Sequence, residues 1–398
     1  MQKEDFIAFQ AQTSPNPLGL EVSHAQGSYI HDRQGRAHLD LVAGVSACTL
    51  GHGHPRVVAA IKEQVDRYMH VMVYGEYIQG PAVAYAKLLA SQLPAPLRST
   101  YLVNSGTEAM EGAVKLARRA TGRSQIIAAQ KAYHGNTMGS LSLLGVEQRK
   151  GAFRPLVPDV RHIRFNEFGD LEKITEKTAA VVLETIQGGA GFILPREGYL
   201  EKVRERCDRF GALLILDEIQ PGFGRTGKLF AFQHHDCVPD ILVIGKGMAS
   251  GLPVGAFVAS QELMGQLQHS PAFGHITTFG GNPVIAAAAL ATLEELLESD
   301  LMAQVPEKER MFRKLLRHPL ITEIRGKGLM LAPMMESKAV ADHLITTAAR
   351  EGLILFWLLF EPRAVRISPP LTISMKEIQA GCDQILDILE RYRPTAVN

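Results

Sequence analysis

Short apolar runs alternate with amphipathic stretches through the middle of the chain. The runs occupy residues 100–103, 126–128, 180–183, 213–216, 241–244 and 254–258. Strands that are covered on both faces form continuous apolar runs of this kind. Between the runs, apolar residues recur at helical spacing over 108–120, 198–210 and 283–297. Alternating strands and helices predict an α/β fold with a mostly parallel sheet and helices on both faces.

The two ends of the chain carry shorter elements. Alternating runs at 27–32 and 38–41 flank Gln34-Gly35 and predict a β-hairpin, and Pro55 begins a helical pattern. After Glu298 the pattern predicts a helix over about 301–316, strands near Leu329 and Val365, and an amphipathic segment over 376–393. We interpret residues 56–299 as a large domain. We expect residues 1–55 and 300–398 to build a smaller α+β domain from both ends.

Composition and charge narrow the range of partners. The 398 residues are 46% hydrophobic and 21% charged, as in an ordinary globular protein. Lys and Arg number 42 against 41 Asp and Glu, so no net field favours nucleic acid or an acidic membrane surface. Four cysteines without C-x-x-C spacing indicate reduced thiols. With no signal-peptide pattern over 1–10 and no apolar run longer than 353–360, we expect a cytoplasmic protein.

A glycine-rich stretch suggests two nucleotide-binding alternatives. Gly222-Phe-Gly-Arg-Thr-Gly227 fits G-x-G-x-x-G, and with Lys228 it nearly fits a P-loop. A dinucleotide fingerprint should close a strand and open a helix, but four residues separate this one from the preceding run. Leu229 stands where a P-loop needs Ser or Thr for magnesium. A Rossmann site and an NTPase are therefore the weaker interpretations.

Two charged residues follow apolar runs. Asp217 ends the run at 213–216, and Lys246 follows the run at 241–244 between two glycines. Ligands of such sheets bind beyond the carboxyl ends of the strands. A half-buried carboxylate there requires a cation or a hydrogen-bond donor, which a protonated pyridine nitrogen provides. A lysine that forms a Schiff base beside an Asp-bound pyridinium is the arrangement that pyridoxal phosphate requires.

The segment Asn104-Ser-Gly-Thr107 suits the phosphate of that cofactor. It follows the run at 100–103 and opens the helix from Glu108, where backbone N–H groups and the helix dipole favour an anion. Helix capping by Ser105 or Thr107 is the alternative, and it is favoured when the segment is considered alone. When Asp217 and Lys246 are considered as well, phosphate binding becomes the favoured interpretation of the segment. The histidine pairs lack a third ligand at a sensible spacing, so no metal site is expected.

Several motifs stand in one order along the chain. They are Ser105-Gly-Thr-Glu-Ala109, Tyr133-His-Gly135, Leu216-Asp-Glu-Ile-Gln220, Gly222-Phe-Gly-Arg-Thr-Gly227, Gly245-Lys-Gly247 and Thr277-Thr-Phe-Gly-Gly-Asn-Pro283. In these motifs the chain resembles the class III pyridoxal-phosphate-dependent aminotransferases, from about Gly19 to the end. Acetylornithine, ornithine and 4-aminobutyrate aminotransferases belong to this group.

The resemblance implies fold type I of the pyridoxal-phosphate-dependent transferases, with a seven-stranded sheet in the large domain. It also implies a homodimer whose active sites are shared between subunits. Lys246 would be the Schiff-base lysine and the proton shuttle, and Asp217 would pair with the pyridine nitrogen. Gln220 would hydrogen-bond the ring hydroxyl. Tyr133 would stack on the ring, and Glu184 would stand near it.

The resemblance also implies how the phosphate and the substrate are held. Ser105, Gly106 and Thr107 would bind the phosphate, and Thr278 would reach the phosphate of the partner subunit's cofactor. Arg366 resembles the arginine that binds a substrate carboxylate. An arginine suits that task because its planar fork takes a carboxylate in a bidentate manner.

Two positions depart from the family pattern. Many relatives that use glutamate have an acid five residues after the residue that matches Glu184, and it pairs with the arginine that matches Arg366. Here Gly189 stands in its place, and Asn136 replaces an arginine that acetylornithine, ornithine and 4-aminobutyrate members carry. We therefore expect a substrate site with relaxed specificity, in which Arg366 is free to bind a carboxylate at every step.

The expected activity is transfer of an amino group from an amino acid to a 2-oxo acid. The donor carries an α- or ω-amine and is either ornithine- or acetylornithine-like or alanine-like. An amino-acid racemase, epimerase or lyase of the same fold is the alternative, because these enzymes need the same core residues.

Overall fold

The computed structural model describes residues 3–393, in which strands and helices alternate as the sequence predicts. The strands are β1 (Val22–Gln26), β2 (Tyr29–Asp32), β3 (Ala37–Asp40), β4 (Ser99–Val103), β5 (Gln125–Ala129), β6 (Val160–Ile163), β7 (Thr178–Glu184), β8 (Leu213–Asp217), β9 (Ile241–Gly245), β10 (Gly255–Ala259), β11 (Ile321–Lys327), β12 (Met330–Met335), β13 (Leu353–Ile354), β14 (Phe356–Trp357) and β15 (Val365–Arg366). The helices are α1 (Lys3–Phe9), α2 (Ala43–Ser46), α3 (Pro55–Arg67), α4 (Gly80–Gln92), α5 (Gly106–Thr121), α6 (Met138–Ser142), α7 (Glu147–Lys150), α8 (Tyr199–Phe210), α9 (Gln261–Gly265), α10 (Pro283–Glu298), α11 (Leu301–Leu315), α12 (Lys338–Glu351) and α13 (Met375–Glu390).

A seven-stranded sheet forms the centre, in the order β4-β10-β9-β8-β7-β5-β6. β10 is antiparallel to both β4 and β9, and the other neighbouring pairs are parallel. Each of the six apolar runs lies in one of these strands, so the predicted α/β fold with a mostly parallel sheet is confirmed. Within this sheet, β6 was not predicted from the sequence, because its residues Arg161 and His162 interrupt any apolar run.

Successive residues of the central strands feed two separate apolar layers. Leu214 and Leu216 of β8 pack in one cluster, whereas Ile215 between them packs in the other. This alternation follows from the two-residue period of a strand. One layer includes apolar residues of α8 and α10, and the other includes the buried face of α5. Both faces of the sheet are therefore dry, and its carboxyl edge is left for polar groups.

The ends of the chain meet in a second sheet, with the order β1-β2-β3-β13. β2 and β3 pair in antiparallel fashion, which confirms the predicted hairpin. β13 pairs with β3 in parallel, with Leu353 opposite Leu39. This pairing joins the first and last parts of the chain. The domain bounds at 1–55, 56–299 and 300–398 stay a prediction, and residues 1, 2 and 394–398 lie outside the described part.

A left-handed turn follows the hairpin. Ala43 and Ser46, at the two ends of α2, have φ of 50° and 66°, values that L-residues rarely adopt. The Asp40 carboxylate holds the turn, because its Oδ1 accepts the N–H groups of Val42 at 2.8 Å and Ala43 at 2.9 Å. The turn brings residues 45 and 46 to the carboxyl edge of the central sheet.

No helix within residues 3–393 has both the length and the apolar character needed to cross a membrane.

We predict that Gly255→Ala destabilises the fold at the join of β10 and α5. A Cβ at Gly255 would lie 2.1 Å from the backbone oxygen of Ser105, which has no freedom to move. Overpacking of this kind costs about 1–3 kcal/mol. Urea unfolding should show the loss in the free energy of unfolding. The matched control is Gly265→Ala, where nothing lies within 4 Å of the added Cβ. Equal stability of the two variants would contradict the prediction.

Candidate active site

The carboxyl ends of β7 and β8 place two carboxylates side by side. Glu184 and Asp217 are the last residues of these strands and are paired in register. They are 6% and 3% exposed, so each carboxylate needs hydrogen-bond donors nearby.

Asp217 is matched by a histidine and a backbone amide. Its Oδ2 lies 2.7 Å from His134 Nδ1, and its Oδ1 accepts the N–H of Ile219 at 3.0 Å. Burial lowers the pKa of His134, but the hydrogen bond to Asp217 and the nearby acids outweigh it, so the pKa is raised overall. His134 is therefore the side-chain hydrogen-bond partner of the Asp217 carboxylate.

Glu184 is held by backbone donors alone. Its Oε2 accepts the N–H of Tyr133 at 3.1 Å, and its Oε1 accepts the N–H of Gly188 at 2.9 Å. Burial raises the pKa of Glu184 to about 7. The side chain thus fixes the two loops after β5 and β7 at the edge of the sheet.

Lys246 begins the turn that follows β9. Its φ of 43° is left-handed, which is a strained conformation for a lysine and often marks a functional site. The Nζ atom has no hydrogen-bond partner among residues 3–393. Burial and the neighbouring Arg366 guanidinium lower the pKa of Lys246 to about 8. A substantial fraction of its amine is therefore neutral near pH 7–8.

The first turn of α5 closes another side of the site. Ser105 is the N-cap, and its Oγ accepts the N–H of Glu108 at 3.3 Å. Gly106 and Thr107 follow at the helix start, where backbone N–H groups have no intrahelical partner. Thr107 Oγ1 lies 2.6 Å from Ser140 Oγ. Ser105 therefore caps α5, which is the alternative to phosphate binding that the sequence also allows.

These groups surround one cavity of about 480 Å³. The predicted site residues that line it are Gly106, Thr107, Tyr133, Glu184, Asp217, Gln220, Lys246 and Arg366. Gln220 is also tied to α2, because its Nε2 lies 3.4 Å from Ser46 Oγ. The cavity lining does not include Ser105 or Thr278, and Thr278 is exposed to solvent.

Arg366 enters the cavity from β15. It is 4% exposed, yet its Nε and Nη1 have no hydrogen-bond partner in the described part of the chain. Its Cζ lies 5.5 Å from the centre of the Phe192 ring, which supports one face of the guanidinium. Burial lowers the pKa of Arg366 to about 10. Unpaired buried donors of this kind are suited to an anionic ligand.

The two departures from the family pattern lie in the same cavity as Arg366. Gly189 and Asn136 both line it. A Cβ at Gly189 would fall 2.8 Å from the Phe360 ring, and Phe360 also donates its N–H to the Gly189 oxygen at 2.9 Å. The space for a side chain at position 189 is therefore filled by Phe360.

Sequence analysis missed the roles of His134 and Phe360. His134 stands in the Tyr133-His-Gly135 motif, so its signal was present, but its partner is distant along the chain. Phe360 carries no local signal, because its contact with Gly189 arises only in the folded chain.

The family model described as "Aminotransferase class-III" matches residues 9–389. The chain belongs to the class III aminotransferases. It is therefore a pyridoxal-phosphate-dependent transaminase that moves an amino group from an amino acid to a 2-oxo acid.

Three relatives show how broad this class III similarity is. The acetylornithine aminotransferase of Methanopyrus kandleri is 38% identical over 367 residues, 92% of each chain. That of Mycolicibacterium smegmatis is 40% identical over 375 residues, 93% of this chain and 94% of the relative. The structure of ornithine aminotransferase from Toxoplasma gondii ME49 has a TM-score of 0.90 and 30% identity, covering 98% of this chain and 95% of the other. All three are aminotransferases, which favours transfer over the racemase and lyase alternatives.

The residues of this class III aminotransferase fit pyridoxal phosphate. The cavity contains a buried acid, an unpartnered lysine amine and an open helix N-terminus, which suit the pyridine nitrogen, the aldehyde carbon and the phosphate. The backbone at Gly106 packs closely against the Ile219 side chain, because a Cβ at Gly106 would lie 2.7 Å from Ile219 Cδ1.

We predict that Arg366 lowers the pKa of Lys246 measurably. In cofactor-free protein, acetylation of Lys246 should rise with pH about a midpoint near 8. Arg366→Leu removes a positive neighbour and should move the midpoint upward, toward the ordinary 10.5. Mass spectrometry of the peptide that contains Lys246 gives the extent of reaction. Arg363→Leu, at a half-exposed arginine paired with Glu361, is the control. A wild-type midpoint near 10.5 would refute the prediction.

Proposed function

We propose that Lys246 is the Schiff-base lysine of this aminotransferase and the group that moves the substrate proton. The observation that carries the proposal is its unpartnered amine, with a lowered pKa, in one cavity with Asp217 and Arg366. A lysine with a pKa near 8 can both accept and return a proton near neutral pH. When bound, pyridoxal phosphate supplies an electron sink for the carbon that loses its proton.

The other cavity residues divide the task of holding the cofactor. Asp217 pairs with the pyridine nitrogen, and Gln220 reaches the ring hydroxyl. Tyr133 covers a face of the ring. Glu184 acts near the ring by fixing the loops that carry Tyr133 and Gly188. His134 is a positioning residue, because its Nδ1 contacts Asp217 Oδ2 and holds that carboxylate in place.

The phosphate lies at the start of α5 in this proposal. Gly106 and Thr107 bind it, and Ser105 contributes by capping the same turn. The helix N-terminus is positive, so it favours a dianion.

Arg366 binds the substrate carboxylate. Its support is the pair of buried donors without partners and the absence of an acid at Gly189 that could neutralise them. The arginine is therefore available in both half-reactions. The named relatives act on acetylornithine and ornithine, whereas Gly189 and Asn136 favour an alanine-like donor.

Two copies of the chain form the working enzyme in this proposal. Thr278 is exposed and lies outside its own cavity, as expected of a residue that acts in a partner's site. Large apolar side chains are exposed on the neighbouring surface, including Ile78 at 94%, Tyr77 at 58% and Phe279 at 56%. Exposed apolar patches of this kind mark protein interfaces. We also place the enzyme in the cytoplasm and keep the division into a large and a small domain.

Replacing Lys246 by Ala tests its assignment. The Lys246→Ala protein should lose transamination by several orders of magnitude, because no other amine lines the described cavity. Borohydride reduction should add the cofactor mass to wild-type protein and not to the variant. Lys115→Ala, at an exposed lysine outside the cavity, should behave as wild type in both assays. Turnover or a mass increase in Lys246→Ala would show that another residue carries the cofactor.

Hybrid dimers test the role of Thr278. Thr278→Ala alone should weaken cofactor retention in both sites. Mixing it with Lys246→Ala should restore one complete site per hybrid dimer. In that site the Thr278→Ala subunit supplies Lys246 and the Lys246→Ala subunit supplies Thr278. Activity near half of wild type is expected in hybrids purified by two affinity tags. Hybrids no more active than either parent would place Thr278 in its own subunit's site or outside both.

A further inference from the structure

The lining of the active-site cavity combines charged groups with several apolar side chains. The apolar residues are Val45, Ile219, Pro221, Phe356, Trp357 and Leu359. Phe356 and Leu359 are 40% and 38% exposed, so they line the cavity and also face solvent. We call Phe356, Trp357 and Leu359 the apolar wall.

The apolar wall stands directly beside Arg366. Phe356 is the cross-strand partner of Arg366 in the β14–β15 pair, so the two side chains leave the same face of the ribbon. A carboxylate on the Arg366 guanidinium therefore places the adjoining carbon atoms against Phe356 and its neighbours.

The wall is held in place before any substrate arrives. The Trp357 indole donates its Nε1–H to Asp342 Oδ1 at 2.8 Å, and the Phe356 ring packs edge-on against it with centroids 5.2 Å apart. Phe360 closes the space at Gly189 behind Leu359. An apolar surface that is already ordered costs little to bind against.

Within the described part of this chain, the acids that line the cavity already have hydrogen-bond donors, and one cation remains for the substrate. Asp217 is matched by His134, and Glu184 is matched by two backbone N–H groups. Lys246 is assigned to the cofactor. Arg366 then remains as the cation for substrate among the described residues that line the cavity. A second carboxylate or an ammonium buried against the wall would lose its hydration without a partner, which is costly.

We propose that the enzyme's preferred amino substrates carry one carboxylate and an uncharged, apolar side chain. The inference rests on the proposed assignment of Arg366 to the substrate carboxylate. It names norvaline-like amino acids and their 2-oxo acids, and it excludes glutamate and ornithine as efficient partners. The apolar wall is the element that determines this specificity.

Binding of amine-free carboxylates tests the proposal without turnover. Trp357 is the single tryptophan of the chain, so its fluorescence reports the cavity directly. Pentanoate, glutarate and 5-(trimethylammonio)pentanoate, whose quaternary nitrogen cannot form an imine, should be titrated into the holoenzyme and checked by calorimetry. Pentanoate is expected to bind at least tenfold more tightly than either doubly charged compound. Equal affinity for glutarate would overturn the proposal.

Single-turnover bleaching of the cofactor by norvaline, glutamate and ornithine gives the second readout. These donors share a five-carbon chain, and norvaline should have a rate at least tenfold higher per unit concentration. Bleaching by all three at similar rates would overturn the apolar preference while leaving the aminotransferase assignment intact. No bleaching with any amino acid would instead contradict the function itself.

Wall variants link the preference to these residues. Phe356→Ala and Leu359→Ala should each reduce pentanoate binding and narrow its advantage over glutarate by several-fold. Phe168→Ala, at a ring that is 42% exposed and outside the cavity, is the matched control and should keep the wild-type ratio. Unchanged ratios in both wall variants would show that the wall does not select the substrate.

Discussion

A buried carboxylate at the end of a strand determines how the site is built. Asp217 is 3% exposed, so its carboxylate needs hydrogen-bond donors, and the side-chain donor, His134, comes from the loop after β5. That loop then presses on the first turn of α5, since a Cβ at Gly135 would fall 2.2 Å from Thr107 Oγ1. The Asp217 side and the α5 side of the cavity are thereby positioned by one short segment.

Charge balance in the cavity follows from the same constraint. Asp217, Glu184, Lys246 and Arg366 line one cavity, and the other three all affect the pKa of Lys246. Arg366 makes the lysine ammonium less favourable, whereas Asp217 and Glu184 make it more favourable. Burial is the largest effect and lowers the pKa of Lys246 to about 8, so about half of its amine is neutral near pH 8. A change at Arg366 therefore alters the proton affinity of the lysine.

The central strands were predictable because burial on both faces leaves an unbroken apolar run. β6 lacked this signal, since it lies at the sheet edge and carries Arg161 and His162. Asp217 and Lys246 were predictable because each directly follows a run, whereas Arg366 was identified only through the family resemblance. His134 and Phe360 depend on partners far along the chain, and no local pattern reveals such pairs. Gly189 shows how far sequence-based prediction reaches. The missing acid is visible in the sequence, but the Phe360 ring that fills its space is visible only in the structure.

The pairing of β13 with β3 has a consequence for biosynthesis. Leu353 completes a sheet that begins at the hairpin, so the hairpin edge stays open while almost the whole chain is synthesised. Contacts of such high sequence separation form late and slow folding. All strands of the central sheet precede residue 260, so that sheet can form while synthesis continues. The edge of β3 stays unpaired until residues 353–354 have emerged. Exposed strand edges are where chains pair wrongly, so this edge is the part of the nascent chain that a chaperone has most reason to cover.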